Sequence, residues 1–283
     1  RQDSRVHHTV LMDVHQTILK IDGKGILPSD YIDLSSEDQM NVLATLVGHL
    51  NPADFKETIT KDTLESIYAI ITVQKMNGIQ GCHRYIISNC QSAINVMELY
   101  ALFQLCGWEQ HLSNIDIVPL FETIEDLNNA EGIMSILYNN PLYKIHLQNR
   151  QAQQPIMLGF SDGTKDGGYL MANWAIYKAK EKLTTISRNH GVTVIFFDGR
   201  GGPPARGGGK THNFYASLGP TIEDEEVQLT VQGQTISSNF GTLESSQYNL
   251  EQLISAGISN TLSDVDLSML PENRDIMEDL ARL

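Results

Sequence analysis

The densest chemistry in this chain lies in D-G-R-G-G-P-P-A-R-G-G-G-K-T, residues 198–211. Six of the 22 glycines fall between Gly199 and Gly209, interleaved with Arg200, Arg206 and Lys210. No acidic residue appears from Gly199 to Ile222, although the chain carries a formal net charge of −14. Glycine lets a backbone approach an anion closely and leaves N–H groups free to point at it. Arginine grips phosphate or carboxylate with forked hydrogen bonds. Three cations with no acid nearby favour an anion site over a merely flexible connection. The ending G-G-K-T is that of a nucleotide-binding loop, but the glycine required five positions before Gly209 is Pro204. A dinucleotide-type glycine pattern fails at the same proline.

Two carboxylates stand out next. Glu122 closes the apolar run I-V-P-L-F-E, and Asp162 opens S-D-G-T-K-D-G-G, residues 161–168, which also carries Lys165. Carboxylates from adjacent strand ends, with a phosphate completing the shell, suit Mg²⁺ or Mn²⁺. Asp166 reads instead as a cap for the helix running on through Trp174 and Tyr177. The nine histidines are scattered and contain no H-E-x-x-H. His7, His8 and His15 read as surface or core-edge residues of an early helix rather than ligands.

The elements that must position these residues follow from periodicity. Residues 1–80 read as a helical segment, closing on Gly78 as a helix stop. Residues 81–241 change rhythm: R-Y-I-I-S-N, I-D-I-V-P-L-F-E-T, P-I-M-L-G-F-S-D-G and V-T-V-I-F-F-D-G-R are short apolar runs separated by helical patterns. Such alternation predicts a parallel sheet covered by helices, with polar residues gathered at the carboxyl ends of the strands. Residues 242–283 return to helix. A complete (β/α)₈ barrel needs eight strands and only four are evident, so the expected fold is α/β, a partial TIM-type (β/α)₈ barrel with additional helices, mostly helical by residue count.

Composition narrows the function classes. With 41% hydrophobic and 19% charged residues the chain is globular rather than disordered. Its acidity argues against a nucleic-acid partner and an anionic membrane surface. Three cysteines without C-x-x-C pairing support neither a disulfide framework nor a zinc knuckle, which makes a reducing cytoplasm the expected setting. The chain opens on Arg1 with no initiating methionine, as a piece of a longer protein would.

Three long motifs then carry a resemblance. P-L-F-E-T-I-E-D-L-N-N-A, I-M-L-G-F-S-D-G-T-K-D-G-G and F-F-D-G-R-G-G-P-P-A-R-G-G-G are similar to successive signatures of the phosphoenolpyruvate carboxylase family. R-Q-D-S at residues 1–4 and L-T-V-Q-G-Q also resemble family motifs, and the matches run in order from residue 1 to about 260. The resemblance implies a cytoplasmic, allosteric enzyme, tetrameric at full length, that joins bicarbonate to phosphoenolpyruvate with Mg²⁺ or Mn²⁺, giving oxaloacetate and phosphate. It implies that Glu122 and Asp162 hold the metal and that Arg1 and Arg200 bind the substrate phosphate. Gly201 and Gly202 would line the substrate, Arg206 would lie near the bicarbonate and allosteric region, and Lys165 would sit at the edge of the site. The catalytic group expected is Asp198, Arg200, Lys165 and Arg206.

Two departures qualify the expectation. Asp198 stands where the family has histidine, and the family's chains are several times longer, with contributors to the site on both sides of this stretch. The isolated chain is therefore expected to show little carboxylation and to self-associate through exposed apolar edges. The alternative is a catalytically silent phosphate- or carboxylate-binding module derived from the same fold.

Overall fold

A computed structural model describes residues 1–108, 114–203, 206–262 and 269–282. The protein is an α/β structure, mostly helical, with six strands in the sheet order β1-β2-β3-β4-β5-β6. Every pair with a defined register is parallel. This arrangement is compatible with part of a β/α barrel. Contacts divide the chain into two units, residues 1–120 with 133–154, and residues 121–132 with 155–283.

The first unit opens with β1 (Gln2–Asp3) and α1 (Ser4–Asp22), followed by α2 (Ser36–Thr45) and α3 (Thr58–Asn77). Helix α1 starts because Asp3 caps it, accepting from Arg5 N at 2.9 Å. As expected, Gly78 ends α3, with φ 78°. Strand β2 (Arg84–Ser88) pairs with β1 and with β3 (Asp116–Phe121). Between them α4 (Ala93–Leu105) is apolar on every side and correspondingly buried along nearly its whole length. The histidine expectation needs one correction: His7 is fully buried, with neither ring nitrogen hydrogen-bonded. Burial pushes its pKa down to about 4, so it sits in the core as a neutral ring. His8 lies on the surface side, bonded to the buried Glu98 at 2.6 Å, and His15 accepts from Leu27 N. Cys82, Cys90 and Cys106 form no disulfide.

Helix α5 (Ile124–Asn139) begins in the second unit and ends in the first, where α6 (Pro141–Asn149) follows. The first unit also buries Asp116 between Arg84 and Arg150, the latter at 2.5 Å.

The second unit carries most of β4 (Gln153–Leu158), then α7 (Phe160–Asn189), β5 (Thr193–Gly201), α8 (Thr211–Ala216) and β6 (Val227–Val231). Helices α9 (Gly233–Phe240), α10 (Leu243–Leu262) and α11 (Pro271–Arg282) complete it. Helix α7 is broken at Gly168, whose φ of 80° and ψ of 170° suit glycine alone, so two helical arms meet at a kink. Helix α11 is fastened to the second arm: Glu278 accepts from the Trp174 indole at 2.6 Å and from Lys178 at 2.7 Å, while Arg274 pairs with Glu181 at 2.6 Å. Strands β1 and β6 were not evident in the apolar runs. Helix α10 leaves Leu243, Tyr248, Leu250, Ile254 and Ile258 exposed. Among the described residues no helix is long and apolar enough to cross a membrane.

Candidate active site

All but one of the expected catalytic, substrate-binding and metal-binding residues belong to the second unit. Arg1 is the exception; it lies exposed in the first unit, immediately before β1.

Glu122 is the first residue past β3 and is half-buried. The backbone locks it against β4 and the start of α7, because Gly159 N donates to Phe121 O at 2.8 Å. Asp126 accepts from both Glu122 N (3.3 Å) and Thr123 N (3.0 Å), which satisfies the amides at the entry to α5. The cap expected of Asp166 exists, but it serves another helix. Its carboxylate accepts from Ile124 N at 3.1 Å, the first residue of α5, instead of capping its own helix. The reason is that α7 is already under way at Phe160, so Asp166 lies within its first arm and reaches across to the neighbouring turn.

Asp162 likewise lies in the first turn of α7, not on a strand end; β4 stops at Leu158. It is half-buried and bonded to Lys165 Nζ at 2.8 Å, an exposed pair that contributes little stability but holds both groups on one surface. The segments bearing Glu122 and Asp162 are thus bound to each other by backbone and by Asp166. Two hard oxygen donors suit Mg²⁺ or Mn²⁺, which commonly take one or two carboxylates and complete the shell with water and phosphate. Among the described residues no cluster of three or more His, Cys, Asp or Glu offers a self-sufficient metal cage.

The glycine-rich segment differs from expectation at its start. Asp198 and Arg200 lie inside β5, which continues to Gly201 and pairs there with Val231 of β6. They stand two positions apart in a stretch where the pairing with β6 slips by one residue between Asp198 and Gly201, and both are buried. Arg200 is 5% exposed. Its guanidinium lies 4.3 Å from the Phe214 ring centre and 5.6 Å from that of Phe160, and Nη1 donates to Gly207 O at 2.7 Å. Its Nε has no hydrogen-bond partner among the described residues. A buried guanidinium with an unused donor is suited to a further acceptor.

The loop closes tightly on this arginine. Gly202 is buried and its N–H returns to Arg200 O at 2.7 Å, while Gly208 N bonds Pro203 O at 3.1 Å. A Cβ at Gly208 would collide with Gly202 O and lie 2.9 Å from Arg200 O, so only glycine fits. Tyr169, just past the kink of α7, donates to Gly208 O at 3.2 Å. Arg206 is exposed, and Pro204 and Ala205 lie outside the described residues. Lys210 faces elsewhere, lining a cavity of about 420 Å³ with Thr211, His212, Tyr248 and Asn249.

Sequence reasoning missed the partners of Asp198. Its carboxylate is 0% exposed and its Oδ2 accepts from Lys180 Nζ at 2.7 Å and from Tyr215 OH at 2.8 Å. Lys180 is itself 1% exposed, its ammonium 4.6 Å from the Phe196 ring centre and 5.2 Å from that of Phe214. Burial pulls the Lys180 pKa below the usual lysine value while Asp198 opposes it, and burial with Asp198 beside it pushes the Tyr215 phenol far up. Asp198 Oδ1 has no hydrogen-bond partner among the described residues. One signal was available: Lys180 falls on the apolar stripe of α7 with Ile176, Leu183 and Ser187, where a solvated lysine does not belong.

Together the fold and the site define an α/β protein with carboxylates and a buried arginine beside a glycine-lined turn. The model of the phosphoenolpyruvate carboxylase family matches residues 1–283. The phosphoenolpyruvate carboxylase of Nitrosomonas europaea is 32% identical over 292 residues, covering 99% of this chain and 30% of its own length. Those of Mycobacterium avium (33% over 276 residues) and Mycobacterium leprae (32% over 275) each cover 94% of this chain and 29% of theirs. The chain belongs to the phosphoenolpyruvate carboxylase family. It spans about three-tenths of the length of these curated relatives.

Proposed function

We propose that this chain supplies the central part of a phosphoenolpyruvate carboxylase, a carboxy-lyase, with phosphoenolpyruvate and bicarbonate as substrates. The observation that carries the reading is Arg200: buried, set beside the rings of Phe160 and Phe214, and left with a donor that has no partner among the described residues. In this reading Arg200 and Arg1 bind the substrate phosphate, with the backbone of Gly201 and Gly202 alongside. Arg206 and Lys165, both exposed, are placed at the bicarbonate side and the edge of the site.

The chemistry balances as follows. A bicarbonate oxygen attacks phosphorus, and the P–O bond to the enol breaks, giving carboxyphosphate and the enolate of pyruvate. Loss of the carboxyphosphate proton releases CO₂ and phosphate, and the enolate carbon closes on CO₂ to form oxaloacetate. Arg200 holds the developing phosphate charge in a pocket from which its neighbouring rings exclude water. Asp198 Oδ1, buried and unbonded, is assigned the proton of carboxyphosphate. Glu122 and Asp162 would hold Mg²⁺ or Mn²⁺, which when bound supplies positive charge to phosphoryl and enolate oxygens. The proposal extends to a cytoplasmic, allosteric homotetramer for a protein of the relatives' full length, and to little oxaloacetate formation by the 283-residue chain alone.

The test is calorimetric titration of phosphoenolpyruvate with Mn²⁺ into the chain and into Arg200→Ala. Affinity at least about tenfold weaker in the variant is expected, the loss of a charged hydrogen-bonding partner. Equal affinity in both would overturn the assignment. A second reading, a silent phosphate-binding module, draws on the aspartate in place of histidine and its engagement in an ion pair. Carboxylation by the protein of full length, lost in Asp198→Ala, separates the two.

A further inference from the structure

We propose that Lys180 is a positioning residue of the site: by pairing with Asp198 it keeps that carboxylate off Arg200 and leaves the guanidinium free for an anion. This rests on the assignment of Arg200 to the substrate phosphate. Asp198 and Arg200 stand two positions apart on β5, both buried, and each retains one polar atom without a hydrogen-bond partner among the described residues, Oδ1 and Nε. The Arg200 charge is felt at both Lys180 and Tyr215, so the four groups form one electrostatic cluster.

Without a competitor, the buried carboxylate is open to pairing with the guanidinium two positions away, and an arginine satisfied in that way has nothing to offer a phosphate. A bare aspartate beside the phosphate would also repel it. Lys180 removes both difficulties. It comes from the second arm of α7, its ammonium is surrounded by the rings of Phe196, Phe214 and Tyr215, and it takes Oδ2 at 2.7 Å. The Phe214 ring that borders the ammonium is also the closer of the two that flank Arg200. Asp198 and Lys180 therefore function as a unit, in which either residue alone is a liability. Replacing Asp198 by the histidine of the family, with Lys180 kept, would leave a buried ammonium without its counter-ion.

The experiment compares the wild type, Lys180→Met, Asp198→Asn and the double variant by thermal unfolding and by phosphoenolpyruvate titration with Mn²⁺, counting only folded protein. Lys180→Met is expected to bind about tenfold or more weakly, and the double variant to recover most of the affinity and stability lost. A merely structural lysine would lower the melting temperature of Lys180→Met but leave the affinity of the folded fraction intact, which overturns the proposal. If Arg200→Ala binds as well as the wild type, the phosphate assignment fails instead. Melting temperatures then decide on the pair alone, since additive shifts in the two single variants would refute the coupling. Should Lys180→Met not fold, Lys180→Gln is read in its place by the same criteria.

Discussion

Protonating Glu278 should loosen the attachment of α11 to the second arm of α7, and the size of the effect can be worked out. Hydrogen bonds from Lys178 and from the Trp174 indole hold the Glu278 carboxyl down to about 2, against an ordinary glutamate value near 4.5. A shift of that size would correspond to roughly 3 kcal/mol at full strength. The Glu278 side chain is 31% exposed, however, and solvent screening brings the expected contribution to about 1 kcal/mol. The sign follows from the direction of the shift: a lowered folded-state value stabilises above the unfolded value and is lost as pH falls through the folded one. The window is therefore pH 4.5 down to about 2. Glu278→Gln should cost about 1 kcal/mol at pH 7, and the gap from wild type should narrow steadily as unfolding is followed from pH 5 to pH 3. A constant gap across that range would refute the reasoning, because it would mean that the carboxylate charge contributes nothing.

Other outcomes follow from the site. Gly208→Ala must force apart the turn that closes on Arg200 and should cost about 1–3 kcal/mol, whereas Gly233→Ala, with open space around its Cβ position, should be close to neutral; parallel melting curves check both. Glu122→Gln should abolish the Mn²⁺ dependence of phosphoenolpyruvate binding without altering the fold, as calorimetry and circular dichroism would show; unchanged Mn²⁺ dependence would remove Glu122 from the metal site.

The four strands β2 to β5 were legible because their apolar runs are continuous, the pattern of strands covered on both faces. Strand β1 escaped notice because two residues show no periodicity, and β6 because its five residues are half-buried or exposed and carry no apolar run. Glu122, Asp162 and Arg200 stood out as candidates by residue type and by their place after apolar runs, while the roles proposed for them come from the family resemblance rather than from spacing, which is a weak signal by itself. Asp166 was read correctly as a cap but assigned to the wrong helix, because a side chain's reach across space leaves no trace in local sequence. Lys180 was passed over for a different reason, although its place on the buried stripe of α7 was a signal. Lysine on a helix nearly always means solvent, and only the fold shows that Asp198 waits opposite.

The break at Gly168 gives α7 a property that a continuous helix lacks. In an unbroken helix, one inserted residue turns everything on one side of it by about 100° relative to everything on the other. Here Asp162 and Lys165 ride on one arm and Lys180 on the other, with a non-helical residue between. The break can absorb such a rotation, so the arm bearing Asp162 and Lys165 can stay tied to the Glu122 segment while the ammonium stays in its aromatic slot. Gly168 thus permits the exposed carboxylate side of the site and its buried charge pair to vary separately.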